Sequence, residues 1–135
     1  MLRRVLIVDD EPELVKVLIM ALELKGLAVE SALCGAEAII QLRAAAAGSR
    51  PFDALLLDIV MPDVNGWQVL EAIRADEMLA DLPVVVVTGR ATDPDHIERM
   101  KMYDCTFVNK RERYVDNVLA ELERICPADV EAGTG

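Results

Sequence analysis

The amino-acid sequence predicts an α/β fold, a (βα)5 arrangement in which five strands form a doubly wound parallel sheet. Short apolar runs of strand length recur along the chain, and segments with the apolar spacing of amphipathic helices lie between them. Several runs are continuous rather than alternating, which is typical of strands buried on both faces of a parallel sheet. A repeated strand–helix order implies parallel strands joined by right-handed crossovers.

The strands are predicted from five apolar runs, at residues 5–8, 27–29, 54–57, 84–87 and 105–108. The helices are predicted from apolar residues three or four positions apart. The helical stripes are Leu14/Leu18/Ala21/Leu22, Ala38/Ile39/Leu42, Val69/Leu70/Ile73, Ile97/Met100 and Val115/Val118/Leu119/Leu122/Ile125. Pro12 and Pro94 follow acidic residues and suit a first helical turn, whereas Gly26 suits a helix C-terminus. We expect one domain over residues 1–126 and a flexible tail over 127–135.

The chain has 135 residues, and its 24 acidic against 14 basic side chains give a formal net charge of −10. This balance argues against a direct nucleic-acid partner and against an anionic membrane surface, because both require a basic face. No apolar run reaches the length of a membrane span or of a signal peptide. The three cysteines lack disulfide or zinc spacing. These observations predict a cytoplasmic protein.

Polar residues follow four of the predicted strands directly. Asp9 and Asp10 follow the first strand, Asp58 the third, Thr88 the fourth, and Lys110 stands just after the fifth. The carboxyl ends of parallel strands share one edge of the sheet, where ligands bind in open α/β folds. We therefore expect three carboxylates, a hydroxyl and an ammonium group to converge there.

Each of these residues also has an ordinary structural interpretation. Asp9 or Asp10 can be the N-cap of a helix, Thr88 can be a turn residue, and a strand-end lysine is usually a surface charge. Clustered carboxylates, however, repel one another unless a cation lies among them. Oxygen ligands without His or Cys suit Mg²⁺. A carboxylate beside Mg²⁺, Lys and Thr is suited to attack phosphorus and form an aspartyl-phosphate.

The sequence resembles the receiver domain of two-component response regulators over residues 3 to about 124. The supporting strings are VLIVDDEP at 5–12, FDALLLDIVMPDVNG at 52–66 and VVT at 86–88. The D-x-x-M-P-x-x-x-G pattern that begins at Asp58 is the most specific of them. The resemblance implies a flavodoxin-like fold with strand order 2-1-3-4-5.

The resemblance makes Asp58 the acceptor of a phosphoryl group from a sensor histidine kinase or a phosphotransfer protein. It makes Asp10 a direct Mg²⁺ ligand and Asp9 a ligand largely through water, with Asp58 and the carbonyl of Val60 completing the site. Such a domain catalyses only its own phosphorylation and dephosphorylation and is not a turnover enzyme.

Three further residues have roles in phosphate binding and switching by the same resemblance. Lys110 would hold a phosphoryl oxygen, and Thr88 would move in to hydrogen-bond the phosphate, so that the new charge biases a two-state element. Phe107 would be the switching aromatic, with a plain core aromatic as its alternative. The switch would alter the face formed by helix 4, strand 5 and helix 5, within residues 90–125, for binding a downstream protein or a second copy of the chain.

Two departures from the family pattern, Arg111 and a fifth strand that enters through residues 103–106 without the usual Gly-Ala pair, leave an alternative open. Arg111 follows Lys110 where the family usually has a cis proline, and a cis bond before a non-proline residue costs about 2.5–4 kcal/mol. The apolar Val60 cannot orient an attacking water, which predicts slow self-dephosphorylation. The alternative is a pseudo-receiver, a phosphorylation-independent interaction module with the same fold. An aspartyl phosphatase and an FMN carrier fit less well, because the chain lacks a D-x-D pattern and a Ser/Thr/Gly-rich loop after the first strand.

The acidic charge is unevenly distributed along the chain. Residues 90–113 carry six basic and five acidic side chains, a net charge of +1, which leaves −11 for the remainder. This segment lies in the face through which the family signals. We therefore expect an acidic partner or a charge-paired homodimer on this face.

Overall fold

The computed structural model describes residues 3–48, 50–59, 66–89, 94–110 and 114–125. In this part of the chain a single parallel sheet has the strand order β2-β1-β3-β4-β5, which confirms the predicted doubly wound fold. The strands are β1 (Arg4–Val8), β2 (Ala28–Ala32), β3 (Ala54–Asp58), β4 (Val84–Thr88) and β5 (Thr106–Asn109). The helices are α1 (Pro12–Leu24), α2 (Gly35–Ala47), α3 (Gly66–Ala75), α4 (Pro94–Met102) and α5 (Tyr114–Ile125).

The three central strands are buried on both faces, which explains their continuous apolar runs. In β1, Leu6 and Val8 belong to one core cluster, whereas Val5 and Ile7 belong to the cluster on the opposite face. The first cluster packs under α2, α3 and α4, and the second under α1 and α5. Because successive side chains of a strand point to opposite faces, the interior positions of such a strand are apolar on both faces, and the buried polar residues Asp58 and Thr88 stand at strand ends.

The outer strands differ from their predicted bounds. The apolar run at 27–29 predicted β2, but the strand extends to Ala32 and includes the exposed Glu30. The strand β2 pairs only with β1, and β5 pairs only with β4. A strand at the edge of a sheet tolerates polar side chains, so its apolar run is shorter than the strand itself.

The predicted helix boundaries are confirmed by the local geometry. Pro12 and Pro94 are the first residues of α1 and α4. Gly26 adopts φ +85° just after α1, and the N–H of Leu27 donates to the carbonyl of Leu22 at 3.2 Å. A left-handed residue at this position terminates a helix and is most easily supplied by glycine. None of the described helices has the length and apolarity that a membrane crossing requires.

Arg74 joins three segments at the edge of the sheet opposite the strand C-termini. Its guanidinium donates to the carbonyls of Tyr103 at 2.7 Å and Asp104 at 3.1 Å, which form the turn between α4 and β5. It also donates to the carbonyls of Ala80 at 3.0 Å and Leu82 at 2.8 Å, just before β4. Five fixed N–H donors allow one guanidinium to satisfy several carbonyls, so Arg74 anchors α4 and β5 to the rest of the sheet.

Candidate functional site

The backbone brings the predicted site residues to one edge of the sheet. Asp58 is the last residue of β3 and Thr88 the last residue of β4. Asp9 follows β1, and its N–H donates to the carbonyl of Ala32 at 3.2 Å. The N–H of Lys110 donates to the carbonyl of Thr88 at 2.8 Å. Four separate stretches of chain therefore converge, as the strand ends predicted.

The ammonium group of Lys110 lies among three carboxylates. Its Nζ is 2.8 Å from Oε1 of Glu11, 2.9 Å from Oδ2 of Asp9 and 3.4 Å from Oδ2 of Asp58. The Lys110 side chain is 14% exposed, and those of Asp9 and Asp58 are 4% and 7% exposed. The chain itself therefore places a positive charge among the clustered acids, and this charge balances part of their negative charge.

These contacts change the proton affinity of Lys110. Burial by itself lowers the pKa of this ammonium, but the hydrogen bonds to Glu11 and Asp9 and the charge of Asp58 outweigh burial. The pKa of Lys110 is consequently held above its ordinary value. Lys110 is positively charged at neutral pH and can stabilise negative charge held next to Asp58.

The N-cap interpretation of Asp9 and Asp10 is wrong. The residue that caps α1 is Glu11, whose side chain makes no capping hydrogen bond. Asp9 instead accepts the N–H of Glu11 on Oδ1 at 2.9 Å and the ammonium of Lys110 on Oδ2. Both oxygens of this buried carboxylate are therefore engaged in holding the site together.

The donor set fits Mg²⁺. Asp9, Asp10, Glu11 and Asp58 each offer a carboxylate oxygen within 4.8 Å of the others, and Asp10 and Glu11 face solvent. Mg²⁺ takes one or two carboxylates and keeps several water ligands, so an open, oxygen-only cluster suits it. Asp9, Asp10 and Asp58 were predicted as ligands. Val60, the fourth predicted ligand, lies outside the described residues, as do Arg111 and the tail at 127–135.

Phe107, the predicted switch residue, is on the edge strand β5 and is 42% exposed. Its strand partner in the register is Val86. The plain-core alternative for this aromatic is therefore wrong. The predicted switching role of Phe107 remains a prediction.

Three residues of the site were not identified as functional from the sequence. Glu11 was noted only as part of a motif, yet it makes the shortest contact with Lys110. Tyr114 begins α5, and its buried hydroxyl has no hydrogen-bond partner among the described residues. Burial raises the pKa of this phenol, and the charge of Lys110 opposes the increase.

Gly66 is the third such residue, because it sets how closely α3 approaches the loop after Asp58. Its N–H donates to the carbonyl of Ile59 at 2.9 Å. A Cβ atom on Gly66 would lie 2.6 Å from Cα of Ile59 and 2.7 Å from the carbonyl oxygen of Asp58. Only glycine fits this contact without displacement of the backbone. The motif contained this glycine, but its spacing alone gave no physical reason for it.

Comparison with known proteins agrees with this architecture. A family model described as the response regulator receiver domain matches residues 5–120. The chain is 34% identical over 132 residues to the probable transcriptional regulatory protein TcrX of Mycobacterium tuberculosis, covering 96% of this chain and 53% of TcrX. It is also 34% identical over 104 residues to the hybrid signal transduction histidine kinase L of Dictyostelium discoideum, covering 77% of this chain and 6% of that protein.

A solved structure gives the same match in three dimensions. The response regulator TrrA of Thermotoga maritima, in complex with Mg²⁺-BeF, superposes with a TM-score of 0.75 at 25% identity and covers 92% of this chain and 99% of TrrA. The chain thus spans about half of one curated relative, a small part of the other and nearly all of this solved chain.

Proposed function

Because this chain belongs to the response regulator receiver domain family, we propose that it is a phosphorylation-activated switch whose phosphoacceptor is Asp58. The observation that carries the proposal is the position of this carboxylate. Asp58 ends β3, is 5% exposed, and lies 3.4 Å from the ammonium of Lys110 in a cluster of four acids. A buried carboxylate at a solvent-facing edge, beside a fixed cation, is arranged for reaction with an anionic phosphoryl donor.

In the proposed step an oxygen of Asp58 attacks the phosphorus atom of a phosphohistidine on a sensor kinase or phosphotransfer protein. An O–P bond forms, the N–P bond breaks, and the electron pair leaves with the imidazole, which takes up a proton. Lys110 is close enough to Asp58 to receive one of the phosphoryl oxygens. Catalysis of this kind depends on positioning and on neutralising charge.

Asp9, Asp10 and Asp58 are the residues that would hold Mg²⁺, which when bound neutralises phosphoryl oxygens and draws donor and acceptor together. Thr88 is 1% exposed and ends the strand beside Asp58. Its proposed role is to donate its hydroxyl proton to the phosphoryl group and so register the new charge. The domain undergoes a change of state and does not turn over a substrate.

The proposed output is a change in the face formed by α4, β5 and α5, which binds a downstream protein or a second copy of the chain. The net charge of +1 on residues 90–113 supports an acidic partner. We further propose residues 1–126 as the receiver domain and the cytoplasm as its location. The pseudo-receiver alternative is less favoured, because Asp9, Asp58, Thr88 and Lys110 come together at one edge.

The test is direct phosphorylation of the intact chain. Incubation with acetyl phosphate and MgCl₂, followed by intact mass spectrometry, is expected to add one phosphoryl group. The Asp58→Asn variant should add none, whereas Asp53→Asn, five residues earlier on an exposed loop, should label normally. Absence of labelling in the wild-type chain, or labelling that persists in Asp58→Asn, would contradict the proposal and favour the pseudo-receiver.

A further inference from the structure

We propose that Glu11 is a positioning residue that holds Lys110 back from Asp58 in the unphosphorylated chain and so restrains phosphorylation. The inference rests on the proposed function of Asp58 and Lys110. It concerns a residue whose side chain neither accepts the phosphoryl group nor makes a capping hydrogen bond.

The distances around Lys110 show that its ammonium group lies closer to Glu11 and Asp9 than to Asp58. Its Nζ is 2.8 Å from Glu11 and 2.9 Å from Asp9, but 3.4 Å from Asp58. An ammonium group has three N–H donors, and all three have a carboxylate within hydrogen-bonding distance. The tighter contacts lie on the side of the loop after β1. Lys110 must give up at least one of these contacts when it takes a phosphoryl oxygen on Asp58.

Glu11 is the partner most readily given up. Asp9 is buried and holds the loop through the N–H of Glu11, so the Asp9 contact is part of the structure. The side chain of Glu11 is 57% exposed, and water can solvate its carboxylate after Lys110 leaves. The free energy needed to break the contact between Glu11 and Lys110 therefore adds to the barrier of the phosphorylation step.

The backbone keeps the Glu11 carboxylate available for this role. Glu11 is the N-cap of α1 and precedes Pro12, which restricts it to extended conformations. An N-cap side chain normally bonds to a backbone N–H of the first turn, but that of Glu11 makes no such bond. Its charge is directed instead to Lys110, which is 99 positions away in the chain.

The expected change in labelling rate follows from the solvent exposure of the ion pair between Glu11 and Lys110. Ion pairs with one solvent-exposed partner change equilibrium constants by a factor of about two to five. At saturating MgCl₂ and fixed acetyl phosphate, Glu11→Gln should therefore label about two- to five-fold faster than the wild-type chain. Saturating MgCl₂ is needed because removal of a carboxylate from the cluster also weakens Mg²⁺ binding.

A matched control is available two residues along the chain. Glu13 is 90% exposed and lies 4.0 Å from Lys16 on the first turn of α1. Glu13→Gln removes the same charge near the site without touching Lys110, and it should label at the wild-type rate. In a Lys110→Met background, Glu11→Gln should give no acceleration, because the group it restrains is absent.

A second measurement does not depend on phosphorylation. The Lys110 ammonium protons of the [¹⁵N]lysine-labelled chain should exchange with water several-fold faster in Glu11→Gln than in Glu13→Gln. The inference is overturned if exchange is equal in these two variants, if Glu11→Gln labels no faster than Glu13→Gln, or if its acceleration persists without Lys110. A wild-type chain that does not label overturns the proposed function and the rate effect with it, while the exchange measurement still decides whether Glu11 holds Lys110.

Discussion

Substitution of Gly66 by alanine tests whether the close approach of α3 positions Asp58. The added Cβ would lie 2.6 Å from Cα of Ile59 and 2.7 Å from the carbonyl oxygen of Asp58. Carbon atoms in contact are separated by about 3.5–4.0 Å, so the helix and the Asp58–Ile59 peptide must separate by about 1 Å. Overpacking of this kind costs about 1–3 kcal/mol, and the helix-propensity gain of alanine, at most about 1 kcal/mol, offsets only part of it.

The displacement should affect the reaction as well as the fold. A misplacement of about 1 Å at a reacting group can slow a reaction about 100-fold. After the helix-propensity offset we expect Gly66→Ala to lose about 1–2 kcal/mol of unfolding free energy in urea titrations followed by circular dichroism. Folded Gly66→Ala should label with acetyl phosphate at least about ten-fold more slowly than the wild-type chain.

Gly89→Ala is the matched control for stability. Gly89 follows Thr88 at the same sheet edge, and a Cβ atom there meets nothing within 4 Å. Its unfolding free energy should stay within about 0.5 kcal/mol of the wild-type value. If Gly66→Ala behaved like Gly89→Ala in urea and labelled at the wild-type rate, the contact between α3 and the Asp58 loop would not position the phosphoacceptor.

Two further predictions concern stability. Arg74→Met leaves four backbone carbonyls without their charged donor. It should lower the unfolding free energy by about 2–4 kcal/mol. An unchanged urea midpoint would show that water replaces the hydrogen bonds of Arg74. Because the folded-state pKa of Lys110 is raised, its contribution to stability is complete below the ordinary lysine pKa of about 10.4 and is lost as pH rises through the folded value. Above a pH of about 10.4 the urea midpoint of the wild-type chain should fall more steeply than that of Lys110→Met. Parallel curves would contradict the pairing of Lys110 with the carboxylates.

The sequence predicts the central part of this fold because burial on both faces leaves a local signal. Every position of β3 and β4 is buried, so their apolar runs match the strands closely. The edge strand β2 carries an exposed Glu30 and a partly exposed Ser31, which interrupt its apolar pattern. The length of β2 is fixed by the pairing of Ala28 to Ala32 with β1. The residues of β2 alone do not predict this pairing.

The same distinction applies to the site. Asp9, Asp58 and Thr88 were predicted because a strand end places its residue at a known edge of the sheet. Glu11 was missed because its role depends on the position of a flexible lysine side chain that follows β5, 99 positions away in the chain. The apolar pattern of a sequence locates the strand ends. Which carboxylates Lys110 contacts depends on the three-dimensional arrangement of side chains that are distant in the sequence.

The charges at the site are divided according to exposure. The buried acids Asp9 and Asp58 both contact Lys110, so their charge is partly balanced within the chain. Glu11 also contacts Lys110 but is exposed, as is Asp10, and one ammonium group cannot neutralise four carboxylates. The unbalanced charge therefore lies on the solvent side, from which the proposed divalent cation and phosphoryl donor would both approach. Under the proposed function, a cation drawn to the exposed acids would lower the repulsion that an incoming phosphoryl group meets at Asp58.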